Sequence, residues 1–516
     1  MNTRNLPKPP VRIISSKLGK SVSALAMDDS SHLTQFAYKR PNVAGSCWTC
    51  VAANLNCSRE LPECKRCLLS GKKCAGYASQ LQWPKITRPK HRFRTSRSGN
   101  HDRLGNLVSS HPHERPWTIP SSLSVFGVPS HESHLLQHYA KNIARIALAI
   151  DYQGNVYRSL VPMAMVDVAL MNSILAASAT HLSRWQNTSD TTSARYTKRA
   201  LIELEKRLRD PGSASTESTL AAILCLISLE AGNGSRNWKH HFEGIEGWLR
   251  WKGDTAQLDP FLKSWIFLAG YQAAMVFGEE PITVIRQWLE SPDQDSTPEQ
   301  VIDPFLGYSV KLPKLLLNAA SLQRAYSKLG ITKGEVQHRI TQLQKDIAAC
   351  KLDMTKPILL ASSCQRNSFF STTNSSLGQS DLWRRAGATA EIFRHAAHIY
   401  VHRIGACSGE PLPTEIQQSV DIILDLLSLV PDARGPGSNL AWPLFVVGVE
   451  VNSPELRDIV LDRWQGLHLL GMKSTHGTER VLLETWRCRD KANTGIGVAK
   501  PWQEIMQTMG EEQMMV

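Results

Sequence analysis

Six cysteines between Cys47 and Cys74 constrain this chain more than any other feature. Their spacing is Cys47-x2-Cys50-x6-Cys57-x6-Cys64-x2-Cys67-x6-Cys74. The pattern is an internal repeat, because Cys47, Cys50 and Cys57 recur as Cys64, Cys67 and Cys74 after a shift of 17 residues. A Cys-x2-Cys pair can turn two thiolates onto one ion. The third cysteine lies about two helical turns further on, close enough to close a site. Structural zinc takes four thiolate or imidazole ligands in a tetrahedron. Three cysteines per half leave each ion one ligand short, so two ions fit six thiolates only when two are shared. The symmetry of the repeat points to Cys47 and Cys64 as the shared pair. A disulfide framework is the competing reading, with fifteen pairings open to six cysteines. The recurring spacing and the basic surroundings favour zinc, and a single-ion ribbon would strand two thiolates.

Charge is concentrated beside these cysteines. The chain of 516 residues carries a formal +13. Residues 41–100 hold eleven Lys/Arg against two Glu, a net +9, and residues 1–40 a net +5. The remaining sequence is close to neutral. A confined basic segment attracts a polyanion, because phosphate neutralisation releases counterions. Residues 1–42 read as a disordered basic tail. They lack a continuous apolar run followed by a cleavage site, so no secretory signal is expected. No apolar stretch reaches the roughly 18 residues of a membrane span. The other five cysteines are scattered and read as reduced, buried small hydrophobes.

The segment Cys47–Cys74 resembles the fungal binuclear zinc cluster family of transcription factors. Pro62, two residues before Cys64, and the exit "CAGY" followed by "LQWP" extend the likeness beyond spacing. The resemblance implies two zinc ions held by Cys47, Cys50, Cys57, Cys64, Cys67 and Cys74, and a short helix in the major groove of double-stranded DNA. One departure matters. The family places several Lys/Arg between its second and third cysteines, but this chain has "VAANLN" there. Metal binding depends on the thiolates and is expected to survive. Base reading by Arg or Lys at guanine, worth roughly 1–3 kcal/mol of discrimination per bidentate contact, loses its cations. Candidate DNA contacts are therefore Asn54 and Asn56 for base edges, and Lys65, Arg66, Lys72 and Lys73 for phosphates. Lys85 and Arg88 open the run "KITRPKHRFRTSR", which contains no acid and equally suits nuclear import.

Residues 43–84 form the cluster in this reading, and 85–130 a basic linker whose prolines forbid a long helix. No heptad follows the cluster, so dimerisation through the larger domain stays open. From about Glu132 helical periodicity takes over. "ESHLLQHYAKNIARIALAI" stripes Leu135, Leu136, Tyr139, Ile143 and Ile146 on one side, and "STESTLAAILCLISLEAGNG" opens on capping residues and closes on glycine. The fold class expected is mainly α, a small zinc cluster followed by a large all-α domain over 131–495. Loops are expected near 285–312 and 355–380, and a tail over 496–516. "ILAASATHLS", "NWKHHFEGIEGWLRW" and "WPLFVVGVEVNSPELR" occur in an order that resembles the fungal-specific transcription factor regulatory domain.

No HExxH, GxSxG or P-loop pattern occurs, and six thiolates in closed sites leave no open position for a substrate. His240 and His241 read as helix packing rather than chemistry. The expected function is a nuclear, zinc-dependent, sequence-specific DNA-binding factor. It would regulate RNA polymerase II transcription of metabolic or biosynthetic genes, with the transcription machinery or coregulators as partners and no membrane. The alternative keeps the zinc fold, loses base reading and acts through protein partners.

Overall fold

The computed structural model describes residues 46–47, 49–50, 53–59 and 64–74, and then 128–511 apart from 152–154, 190, 256, 279–281, 291–300, 354–358, 362–368, 371–376, 405–410, 432 and 434. Contacts divide the chain into two compact units, one containing the cysteine segment and one containing everything from His113 onward. The expected tail over 1–42 and all of the expected linker over 85–130 up to residue 127 lie outside the described residues, and the first helix of the second unit begins at Ser130, inside the linker's expected bounds.

In the first unit the core is sulfur. Cys47, Cys50, Cys64, Cys67 and Cys74 are buried and Cys57 packs against them. A short helix, α1 (Lys65–Leu69), has Cys64 as its N-cap, and the Cys64 side chain accepts the backbone N–H of Cys67.

The second unit is mainly α, as the periodicity predicts. It begins with α2 (Ser130–His138), which runs through a π turn at Tyr139–Ile143 into Ala144–Ile146. There follow α3 (Val156–Met165), α4 (Val168–Gln186), α5 (Thr191–Arg209), α6 (Glu217–Gly232), α7 (Trp238–Lys252), α8 (Pro260–Phe277) and α9 (Thr283–Leu289). Next come α10 (Leu312–Leu329) and α11 (Lys333–Ala349), which lie between the first and second strands of a small sheet, and after its last strand α12 (Leu377–His402), α13 (Thr414–Leu427), α14 (Ala441–Glu450), α15 (Pro454–His468), α16 (Ser474–Asn493) and α17 (Trp502–Met509).

The sequence sets these boundaries through caps. Asp167 accepts the N–H of Leu170 and starts α4, and Asn187 ends it in the left-handed region with φ 53°. Thr216 caps α6 through Thr219. Asp259 caps α8 ahead of Pro260, and Gly278 ends it at φ 63°. The helices α6 and α14 are buried almost all round: Leu220–Ile227 of the first and Ala441–Gly448 of the second lie inside the core. Such apolar-all-round helices form the centre of a large domain, with amphipathic helices such as α5 outside them.

Two departures from the expected layout have physical causes. In the expected loops, β1 (Val301–Ile302) pairs parallel with β2 (Leu359–Ala361), and β2 pairs antiparallel with β3 (Phe369–Phe370). Two- and three-residue strands are too short to show alternation. Within the expected tail, α17 buries Ile505 and Met506, and the α17 residue Trp502 packs edge-on against Phe445 of α14, with ring centroids 5.1 Å apart. Its apolar positions are few but fall on one face. No described helix is long and apolar enough to cross a membrane.

Between α2, α6, α8 and α14 lies a cavity of about 180 Å³, lined among others by Tyr139, Tyr157, Trp265, Tyr308 and Trp442. His241 is buried in α7 and its imidazole is held neutral, with burial pulling it down to about 4. That fits packing rather than acid–base work.

Candidate metal centre and nucleic-acid face

The sulfur positions come from two short, equivalent stretches of backbone. Cys50 N–H donates to Cys47 Sγ at 3.4 Å, and Cys67 N–H donates to Cys64 Sγ at 3.3 Å. Ala53 N–H reaches the Thr49 carbonyl at 3.2 Å, and Ser70 N–H reaches that of Arg66 at 3.1 Å. Leu55 N–H reaches the Cys50 carbonyl at 2.9 Å, and Lys72 N–H reaches that of Cys67 at 3.0 Å. Each bond in the second half is the first-half bond moved by 17 residues. Both turns close on a left-handed residue, Asn54 at φ 52° and Gly71 at φ 64°. This is the Schellman closure, in which glycine or asparagine is the residue that pays least for positive φ.

The halves are also strapped to each other by the same rule. Thr49 Oγ1 donates to the Lys73 carbonyl at 3.0 Å, and Arg66 Nη1 donates to the Asn56 carbonyl at 3.3 Å. Positions 49 and 66 correspond, as do 56 and 73. Each half therefore grips the other's exit through an equivalent pair, the mark of an approximate two-fold axis.

The sulfurs meet in two groups of four: Cys47, Cys50, Cys57 and Cys64 in one, and Cys47, Cys64, Cys67 and Cys74 in the other. Within each group all ligand atoms lie within 4.8 Å of one another. Cys47 and Cys64 belong to both, with their sulfurs 3.5 Å apart. Four sulfurs bonded to zinc at about 2.3 Å in a tetrahedron sit about 3.8 Å from each other. The observed 3.5 Å, with 3.7 Å for Cys47–Cys67 and for Cys50–Cys64, matches that edge. These separations are far beyond a disulfide bond of about 2.05 Å, and none of the six is in a disulfide. The donor set fits two zinc ions.

Electrostatics add a reason why a cation belongs here. Burial pushes the Cys47 and Cys50 thiols up, and Cys67 up to about 12. Thiolates packed this closely repel one another, and only a cation makes the ionised cluster favourable. The N–H bonds onto Cys47 and Cys64 direct positive dipole at the two shared sulfurs.

The predicted DNA contacts divide into groups. Asn54 and Asn56 are exposed, but Asn54 also serves as the left-handed turn residue and Asn56 as the carbonyl gripped by Arg66. Arg66 is exposed and its backbone N–H donates to Ser58 Oγ at 3.3 Å. It is a strap as well as a cation. Lys65, Lys72 and Lys73 are exposed. Lys85 and Arg88 lie outside the described residues. The straps Thr49 and Arg66 were not among the expected functional pairings. The 17-residue repeat was the signal that could have found them, read as a spatial two-fold.

These features define a binuclear zinc cluster followed by a helical regulatory domain. The fungal Zn(2)-Cys(6) binuclear cluster domain matches residues 45–84. The fungal specific transcription factor domain matches residues 134–515, and the chain belongs to that family. Its zinc cluster takes two zinc ions. No curated protein and no solved structure matches the chain.

Proposed function

We propose that this protein is a nuclear transcription factor that docks on duplex DNA through its zinc cluster. In this reading it regulates RNA polymerase II transcription of metabolic or biosynthetic genes through its helical domain. Cys47, Cys50, Cys57 and Cys64 would hold one zinc ion, and Cys47, Cys64, Cys67 and Cys74 the other. The observation that carries the reading is the pair of four-sulfur groups sharing Cys47 and Cys64. Bound zinc neutralises the thiolates and fixes the two halves. The chain's own residues then present cations to phosphate. Both matched domains are of transcription factor type, which supports a regulator rather than an enzyme.

Selection of bound duplexes from a random pool, using the full-length protein with and without a chelator, tests this reading. An enriched sequence that disappears on chelation is expected. Zinc-loaded protein that enriches nothing overturns it. A second reading is favoured by one observation: residues 53–56 are exposed yet carry no cation. There the zinc fold persists and the protein acts through coregulators, and binding that is uniform across sequences would support it.

A further inference from the structure

The two-fold relation within the cluster has a consequence for how it meets DNA. Because the halves share one backbone path, each presents an equivalent outer face. Leu55 corresponds to Lys72 and Asn56 to Lys73, and all four are exposed. The first-half face, from Ala53 to Asn56, is uncharged. The second-half face carries Lys72 and Lys73 at its exit and Lys65 at the start of α1. Lys65, Leu68 and Leu69 stand three and four positions apart, on one side of that helix. Leu68 is 51% and Leu69 80% exposed. The cationic face is thus complete on one half and missing on the other, while the scaffold beneath them is the same.

We propose that the second half of the cluster, and not the first, is the face that contacts DNA. Lys65, Lys72 and Lys73 bind phosphates there, and α1 turns Leu68 and Leu69 toward the groove, where apolar side chains meet thymine methyl groups. The cluster then docks about half a turn around its own two-fold axis from the arrangement in which residues between the second and third cysteines read bases. Arg66 contributes less than its charge suggests, because one of its donors holds the Asn56 carbonyl. This inference rests on the DNA-binding reading above and assigns the face that performs it.

The test is equilibrium binding of full-length, zinc-loaded protein to a labelled mixed-sequence duplex over a range of salt. Each phosphate contact contributes about 0.9 to the slope of log K against log salt. The double variant Lys72→Gln/Lys73→Gln is expected to flatten that slope by about 1.8 and to weaken binding at least tenfold. Lys65→Gln should flatten it by about a further 0.9. Leu55→Gln/Asn56→Gln, at the equivalent first-half positions, should leave both quantities unchanged. Zinc content is measured for every variant. If the lysine double variant loses zinc, the single variants Lys72→Gln and Lys73→Gln carry the test at about 0.9 each. The inference is overturned if the first-half variant weakens binding and the lysine variants do not. It is also overturned if none of them alters binding, which would place the contacts outside the cluster. Either result leaves the DNA-binding reading standing. A wild-type protein that binds no duplex removes both.

Discussion

At the scale of single residues, two substitutions separate scaffold from surface. Asn54 sits in the left-handed region, and asparagine is tolerated there because its short polar side chain compensates part of the strain. Asn54→Gly should leave the cluster's stability unchanged or raise it slightly, whereas Asn54→Ala should cost about 1 kcal/mol. Competition for zinc against a graded chelator would read the difference. A designer wishing to restore cations to "VAANLN" should therefore choose Leu55 and Asn56, not Asn54. The shared sulfurs give a sharper outcome. Cys47→Ser and Cys64→Ser each remove a ligand from both four-sulfur groups and should lose both ions. Cys57→Ser and Cys74→Ser each touch one group and should retain about half the zinc. Metal-to-protein ratios measured after gel filtration decide between these outcomes. Eight positions and six thiolates require two shared cysteines, and the symmetry of the 17-residue repeat points to Cys47 and Cys64 among them. The dual service of Asn54 and Arg66 was not legible, since a turn conformation and a carbonyl partner leave no mark on residue type.

At the scale of elements, the ends of α4 show how much one side chain can carry. Asp167 caps the helix through Leu170 N–H and also pairs with Arg207 of α5 at 2.9 Å, with its own side chain 2% exposed. Asp167→Ala removes the cap and the ion pair, while Arg207, a quarter exposed, keeps its bonds to Thr216, Ser218 and Thr219, so a loss of about 1–2 kcal/mol is expected in denaturant unfolding. A second device joins α2 to α4. Asn142 Nδ2 donates to His138 Nδ1, His138 Nε2 to His181 Nδ1 at 2.8 Å, and His181 Nε2 to the Leu470 carbonyl at 3.0 Å. That chain of donors requires both imidazoles to be neutral. Burial holds His138 down to about 3 and His181 to about 4. The unfolded chain takes up these protons near pH 6.5. The stabilisation is therefore complete above pH 6.5 and is lost as the pH falls from there toward 4. Between pH 7.5 and 5.5 each histidine should remove on the order of 1 kcal/mol, seen as a falling thermal midpoint, and His138→Gln should flatten the dependence. Helix existence was legible from periodicity and caps, and α6 ran from its threonine cap to its glycine as read. The histidine chain was not, because its partners are distant in sequence and imidazole on an apolar face gives no spacing signal.

At the scale of the whole molecule, the two compact units have separate sources of stability. The cluster's core is six cysteines, while the helical domain buries aliphatic and aromatic side chains contributed by residues from Leu135 to Met506. Excess chelator should strip the cluster and abolish DNA binding, yet leave helical circular dichroism and the main unfolding midpoint in place. A single transition that moved with zinc would contradict this. Architecture at this scale was legible because charge and cysteine fall in one segment and helical periodicity in the other. The small sheet and α17 were missed because segments of two to eight residues carry too few apolar positions to establish a period.

The π turn at Tyr139–Ile143 bears on how the length of this chain can vary. A π turn holds one residue more than the α-helix on either side of it would use. Taking one residue out between Ala140 and Ile143 would let the helix close normally, with both flanks still facing as they do now. Removing a residue from α4 instead would rotate everything beyond the cut by about 100°, turning its buried small residues to solvent. The N-terminal edge of the helical domain therefore holds a built-in allowance for a one-residue deletion.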